Sequence, residues 1–331
     1  MFWEQSSNQM RRRVIAQFGD FKNRCAAWSA VPPHRLFGRH KSAGVGVITY
    51  HRVMPQFPGR PSAPLSVTPR KFAAQLAGLL ATGYQPISIG ELVQRHANGC
   101  LPTTPTFAVA FDDAFECVHR FAFPILQDLG IPATVFVPTA YLNAQSALPF
   151  DPWSLAGDAN IPKWSWRAMS NQQTEEMLAS GLIEIGSHTH THRRFDGADT
   201  DADADPAARA EVESFRTDLA RSTEVLASEF GIENPPFSFP FGANGRAMRR
   251  AVRDAGMSCA FTTNCGNVHR QDNQFNWSRL GAEQWDSSIT LAAKIDGWFE
   301  HLRSQWRLLR ASRPTEATSV QTQTASSLKH G

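Results

Sequence analysis

Two short polar clusters end apolar runs in this chain: Asp112-Asp113 after Phe107–Phe111, and His188-Thr189-His190-Thr191-His192 after Leu182–Ile185 and the pair Gly186-Ser187. Adjacent carboxylates at the end of a buried strand are costly, because the interior lacks the water that would solvate two like charges. A shared divalent metal would offset that cost. One carboxylate and two imidazoles around an open fourth position make the ligand set of a hydrolytic zinc centre. If the strand ran on through the second cluster, His188, His190 and His192 would share one face; if a helical turn begins after Gly186, only His188 and His192 do. Gly186 and Ser187 break the apolar alternation, which favours the turn, with His188 and His192 as ligands and His190 pointing elsewhere.

The elements that must position these clusters alternate between strand-like and helix-like segments. Val45–Tyr50, Phe107–Phe111, Ala133–Val137 and Leu182–Ile185 read as strands, with shorter ones near Phe237–Phe239 and Cys259–Thr262. Pro69–Thr82, Glu116–Leu129 (despite Pro124), Thr174–Ser180, Ala207–Phe230 and Arg246–Ala255 read as helical. Repeated βα units imply a mainly parallel sheet, and this many in one chain favours a barrel over an open sheet. Tyr50-His51, Asp112-Asp113, Ser187–His192 and Pro240-Phe241 each sit at the carboxyl end of a predicted strand. In such architectures those ends face one rim, where active sites are built. Asn143–Lys163, with Pro149, Pro152, Gly157 and Pro162, reads as a long functional loop.

The 331 residues are 42% apolar, ample for a core, and divide into an N-terminal helical extension (1–43), a main domain (44–311) and a disordered Ser/Thr/Gln-rich tail (312–331). In the extension, Val14, Phe18, Phe21, Cys25 and Trp28 recur at helical spacing, and Pro32-Pro33 closes the helix. That face is expected to pack on the main domain. Peripheral membrane contact through residues 10–28, with Arg11-Arg12-Arg13 on lipid phosphates, is the second reading. Net charge is +3, from 33 basic and 30 acidic residues, which makes no electrostatic case for nucleic acid. The run DTDADAD (199–205) lacks the glycine and terminal glutamate of a calcium loop and reads as solvated. Five scattered cysteines without a CxxC pair fit a reducing compartment. No stretch is apolar enough for a signal-peptide core or a transmembrane segment, so a cytoplasmic location is expected.

AFDDAF (110–115), GSHTHTH (186–192) and FSFPFG (237–242), in that order, resemble the polysaccharide deacetylases of carbohydrate esterase family 4, the NodB-homology domain, from about Val45 to at least Leu291. The resemblance implies an irregular (β/α) barrel and metal-dependent hydrolysis of acetyl groups on sugars. It implies that Asp113, His188 and His192 hold a divalent ion, zinc, that Asp112 is the base for the attacking water, and that the Phe241 N–H helps to hold the oxyanion. Thr189 matches the family's Ser/Thr, which implies a part in orienting the loop. ITYHRV (48–53) resembles the early Tyr-His motif of the exopolysaccharide branch, the poly-N-acetylglucosamine deacetylases, whose early histidine protonates the leaving amine; His51 holds that position. The implied substrate is an N-acetylhexosamine glycan or its precursor.

The chain departs from that pattern in three places. The first motif ends in Ala114, where the family normally has Gly. Ser238 stands near where an Arg commonly pairs with the base, which leaves that task to another residue, with Arg279 the candidate. The late Leu-x-His that supplies the general acid is absent: after Cys259 the histidines are His269, His301 and His330, so His51 fills the gap, tuned by Asp286 or Glu283. Trp153, Trp164, Trp166 and Trp285 lie in loop-rich stretches and could stack on sugar rings, although any single tryptophan is more often core. Two other functions use the same residues: hydrolysis of a small cyclic amide on this scaffold, and glycan binding without catalysis.

Overall fold

The computed structural model describes residues 23–41, 43–195 and 206–311. Its first element is helix α1 (residues 23–37), followed by β1 (Gly46–Tyr50), β2 (Arg52–Val53), β3 (Ser66–Val67), α2 (Pro69–Ala81), β4 (Gln85–Pro86) and α3 (Ile89–Ala97). Next come β5 (Thr106–Phe111), α4 (Phe123–Leu129), β6 (Ala133–Val137), α5 (Asn171–Ala179), β7 (Ile183–Ser187) and α6 (Pro206–Phe230). β8 (Phe237–Ser238), α7 (Arg246–Asp254), β9 (Ala260–Cys265), β10 (Trp277–Gly281), α8 (Ser288–Ile295) and α9 (Trp298–Ala311) follow.

The main sheet is parallel throughout, in the order β1-β10-β9-β8-β7-β6-β5-β4, and a further pairing of β1 with β5 closes it into a ring. The fold is an irregular (β/α) barrel. Two features make it irregular: β8 has only two residues, and between Trp277 and Arg279 the register of β10 jumps from Phe261 to Cys265 of β9. Such a shift bends a strand and re-aims its side chains.

Side chains on each strand alternate between two apolar layers. Ile48 and Tyr50 of β1, Val109 and Phe111 of β5, Val135 of β6 and Ile185 of β7 share a cluster with Phe72, Leu76 and Leu79 of α2 and Leu126 of α4. Val47, Ala108, Ala110, Phe136, Phe261 and Trp277, on the opposite parity, form a separate cluster inside the ring. Small residues face large ones there. A Cβ on Gly186 would sit 2.6 Å from two carbons of the Phe136 ring and 2.7 Å from the Pro236 carbonyl. Carried past the strand ends, this inward parity reaches Thr49 and His51, Asp112, His188, and Arg279.

Several elements differ from the sequence reading. β10 has no counterpart in it, because WSRLG is partly polar and lacks a β-branched run; α3, α8 and α9 were likewise not read. β7 runs on to Ser187, held by its ladder to β6 (Phe136 opposite Gly186, Val137 opposite Ser187), and no helical turn begins after Gly186. Helix α1 continues through Pro32-Pro33 to residue 37. It packs Ala26, Ala27, Ala30 and Val31 on Ala293 and Phe299, so tertiary burial, and not local propensity, sets its extent. Pro124 is accommodated by a wide turn over Val118–Ala122, in which the Phe123 N–H bonds back to the Val118 carbonyl. Residues 143–163 are not bare loop: Leu148, Trp153 and Ile161 build a small core with Trp166 and Phe115. Val14, Phe18, Phe21, the acidic run and the 312–331 tail lie outside the described residues. No helix among the described residues is long and apolar enough to cross a membrane.

Gly186→Ala is expected to destabilise the fold by about 1–3 kcal/mol, since a ring and a backbone carbonyl must both move. Urea unfolding should show a lower midpoint with an unchanged slope.

Candidate active site

The carboxyl ends of β1, β5, β7 and β10 converge on a pocket of about 460 Å³ whose lining includes His51, Asp112, Asp113, His188, His192 and Arg279. Asp112 is the next inward position after Ala108 and Ala110 and is buried. At Asp113 the chain stops being extended: Asp113 and Ala114 have φ of 70° and 49°. A left-handed turn, not the alternation of an extended strand, swings the second carboxylate into the pocket. Two successive non-glycine residues in that region are strained by roughly 1–3 kcal/mol each, a cost the family's usual glycine avoids at position 114. The Met169 N–H bonds the Ala114 carbonyl at 2.9 Å and ties the turn down.

The histidine segment is a second strained turn, with φ of 63° at Thr189 and 52° at His192. Thr189 is fully buried and accepts the His192 N–H on Oγ1 at 3.0 Å. Asp218 of α6 braces the loop from outside, accepting the His190 N–H at 2.9 Å and the Thr191 hydroxyl at 2.7 Å. The His190 ring turns away to Thr139, 2.9 Å distant. His188 and His192 turn inward until their Nε2 atoms are 3.2 Å apart. Asp113 Oδ1 lies 3.5 Å from the first and 3.2 Å from the second.

This donor set fits a divalent ion. His188 Nδ1 is 2.8 Å from the Ser238 carbonyl, which assigns the proton to Nδ1 and leaves a lone pair on Nε2. Two imidazole nitrogens and a carboxylate oxygen, all within 4.8 Å of one another, concentrate electron pairs that only a cation satisfies. Burial disfavours charge on His188, yet Asp112 and Asp113 outweigh it and raise the imidazole above its ordinary value.

Asp112 is kept out of this cluster by another cation. Arg279 Nη1 and Nη2 donate to its two oxygens at 2.7 and 2.8 Å. Burial would raise the Asp112 carboxyl, but the Arg279 charge, His188 and the Arg279 hydrogen bonds prevail and hold it at about 2. The partner that Ser238 cannot supply therefore comes from β10; the Ser238 contribution is its carbonyl, on His188. His51 Nε2 is 3.9 Å from Asp112 Oδ2. Burial lowers the His51 imidazole below its ordinary value, against the pull of Asp113 and Asp112. Asp286 does not tune it, being bound to Lys294 at 2.7 Å.

The walls are aromatic. Phe150 stacks on His192, with centroids 3.6 Å apart and planes 21° off, and Phe241 meets the same ring edge-on at 4.9 Å. Phe150 comes from the 143–163 segment, whose Asp151 is bonded to buried Arg52, itself 3.6 Å over the Phe115 ring. Phe150, Asp151 and Asp218 escaped the sequence reading because tertiary contact alone gives them meaning. Trp153 and Trp166 are core, and Trp164 packs against them. Trp285 does not line the pocket; it packs with the α1 cluster, its ring 4.8 Å from Lys294 Nζ, because its loop is turned toward α8.

Residues 102–260 match the polysaccharide deacetylase family. The matched segment, just under half of the chain, is similar to a polysaccharide deacetylase domain. It contains Asp112, Asp113, His188, His192, Ser238 and Phe241, while His51 and Arg279 reach the pocket from outside it. A poly-β-1,6-N-acetyl-D-glucosamine N-deacetylase of Escherichia coli is 28% identical over 218 residues, 61% of this chain. The chain spans only 31% of that relative's length. A Staphylococcus aureus protein of the same name is 22% identical over 73% of this chain and 72% of its own. Among solved structures, IcaB from Ammonifex degensii superposes with a TM-score of 0.60 at 26% identity, covering 77% of this chain and 98% of that one.

Arg279→Met is expected to lift the Asp112 carboxyl from about 2 into or above the ordinary carboxylate range, read by carboxyl NMR titration. The same change should cost about 3–5 kcal/mol in urea unfolding, since it leaves a buried charge unpaired.

Proposed function

We propose that this protein is a metal-dependent N-deacetylase acting on N-acetylhexosamine residues of a polysaccharide or its precursor. The observation that carries the reading is the division of two adjacent carboxylates between two cations. Asp113 faces the paired imidazoles, while Asp112 is held ionised by Arg279 beside them. The names of the relatives support the amide and the sugar.

Asp113, His188 and His192 would hold a divalent ion, zinc in this reading, which would supply Lewis acidity toward the acetamide carbonyl and toward water near neutral pH. Asp112 stays a carboxylate across the working pH range, and each of its oxygens keeps a lone pair beyond its bond to Arg279. It accepts the proton of the attacking water. The Phe241 N–H, turned by a φ of 55° and without a hydrogen-bond partner among the described residues, donates to the developing oxyanion. His51 is the second proton station. The proton removed from water at Asp112 Oδ2 is matched by one delivered from His51 Nε2 to the amine as the C–O bond forms and the C–N bond breaks. Phe150 and Phe241 keep bulk water from the reacting carbonyl.

Acetate release from N-acetylglucosamine oligomers is expected from the protein as purified, to vanish with chelator and to return with zinc. Asp112→Asn and His51→Gln should each keep the ion and lower kcat about 100-fold or more. An Asp112→Asn protein with full metal and full activity would sink the assignment of the base. Absence of acetate release in every state, with the ion bound, would sink the reaction.

A further inference from the structure

A second cavity, of about 940 Å³, lies away from the catalytic rim. Gly44 precedes β1, Thr103 precedes β5 and Arg270 precedes β10, and all three line it, together with the Arg39-His40-Lys41 segment and the start of α9. These are the amino ends of the strands, so the cavity occupies the end of the barrel opposite Asp112. Its lining gathers Arg39, Lys41 and Arg270 with the imidazoles of His40, His269 and His301, against one carboxylate, Glu300.

The charges are arranged, not merely clustered. Arg39 is anchored from behind, Nη2 on the Gly44 carbonyl at 2.7 Å and Nη1 3.6 Å from Asp296. His269 is 3.5 Å from Glu300, which answers the only acid in the lining. Lys41 and Arg270 are exposed and make no ion pair with the described residues. His40 and His301 stack with centroids 4.6 Å apart. Burial, then His301 and Lys41, lower the His40 imidazole, as expected where positive potential is uncompensated.

A multivalent anion complements this lining. Phosphate is the fitting chemistry: its oxygens accept several N–H donors at once, and its dianion balances two cations. A cavity of this size takes a phosphorylated ligand as large as a nucleotide or a lipid headgroup. We propose that the basal pocket is a binding site for a phosphate-bearing ligand. It stands on different residues from the deacetylation reading and does not depend on it.

The test uses the full chain as purified, calorimetric titration with inorganic pyrophosphate, and co-sedimentation with phosphatidylglycerol vesicles against phosphatidylcholine vesicles. The variant is Lys41→Ala with Arg270→Ala, both outward-facing, with the urea midpoint and acetate release as controls that stay unchanged. Pyrophosphate binding weakened tenfold or more in the double variant, and retained in His188→Ala/His192→Ala, is the expected result. Binding confined to anionic vesicles and lost in the double variant supports the same site with a lipid headgroup as its source. Pyrophosphate binding unaffected by the double variant, or no binding of either probe, overturns the proposal.

Discussion

The site depends on one strand pairing twice. β1 is hydrogen-bonded to β5 on one edge, from Gly46 opposite Phe107 to Tyr50 opposite Phe111, and to β10 on the other. Closure at this seam brings together side chains that the chain keeps far apart: Arg279 and Asp112 are separated by 167 positions, yet bond at 2.7 Å. The Asp112 N–H bonds the Tyr50 carbonyl at 3.0 Å, and the Ala282 N–H bonds the Thr49 carbonyl at 3.0 Å. The ladder thus runs up to the residues that carry chemistry. An open sheet with this strand order would keep His51 and Arg279 together at one edge, far from Asp112 near the other.

Closure also decides the electrostatics. Two neighbouring carboxylates, one buried and one largely so, are unfavourable unless each has its own cation. Arg279 serves Asp112 with the bidentate geometry that suits a planar carboxylate. Asp113 is left to the imidazoles, and burial opposes its charge, but its bonds to His188 and His192 hold it well below the usual carboxylate range. The departure at Ser238 is therefore a relocation. The cation comes from β10 and not β8, from the inward position two residues after Trp277.

The remaining residues hold strained backbone in place. The turns at Asp113-Ala114 and Thr189–His192 put non-glycine residues at positive φ, a conformation kept only where surroundings over-determine it. Met169, Thr189 and Asp218 supply those surroundings through hydrogen bonds from three different parts of the chain. The buried Arg52–Asp151 pair clamps the segment that lays Phe150 on His192. The turns that carry the site are thereby tied to several separate parts of the fold.

By itself the sequence determined the parallel βα order and the strand ends at which polar clusters fall; it singled out His188 and His192 through a helical turn that does not form. Short continuous apolar runs such as Phe107–Phe111 and Ala133–Val137 are buried on both faces whichever way the strands are arranged, so local pattern suffices to reveal them. It also held Asp112, Asp113 and His51 in recognisable motifs. The tertiary structure alone decided what lies between those motifs. β10 is too polar to announce itself, and its Arg279 became the Asp112 partner when the barrel closed. Trp285, a plausible sugar platform in sequence, went to the α1 interface, while Phe150 and Asp218 entered the site without any local sign. The separation has a physical reason. Burial periodicity is a property of neighbouring residues, whereas charge compensation and ring stacking belong to groups that meet only when the barrel closes.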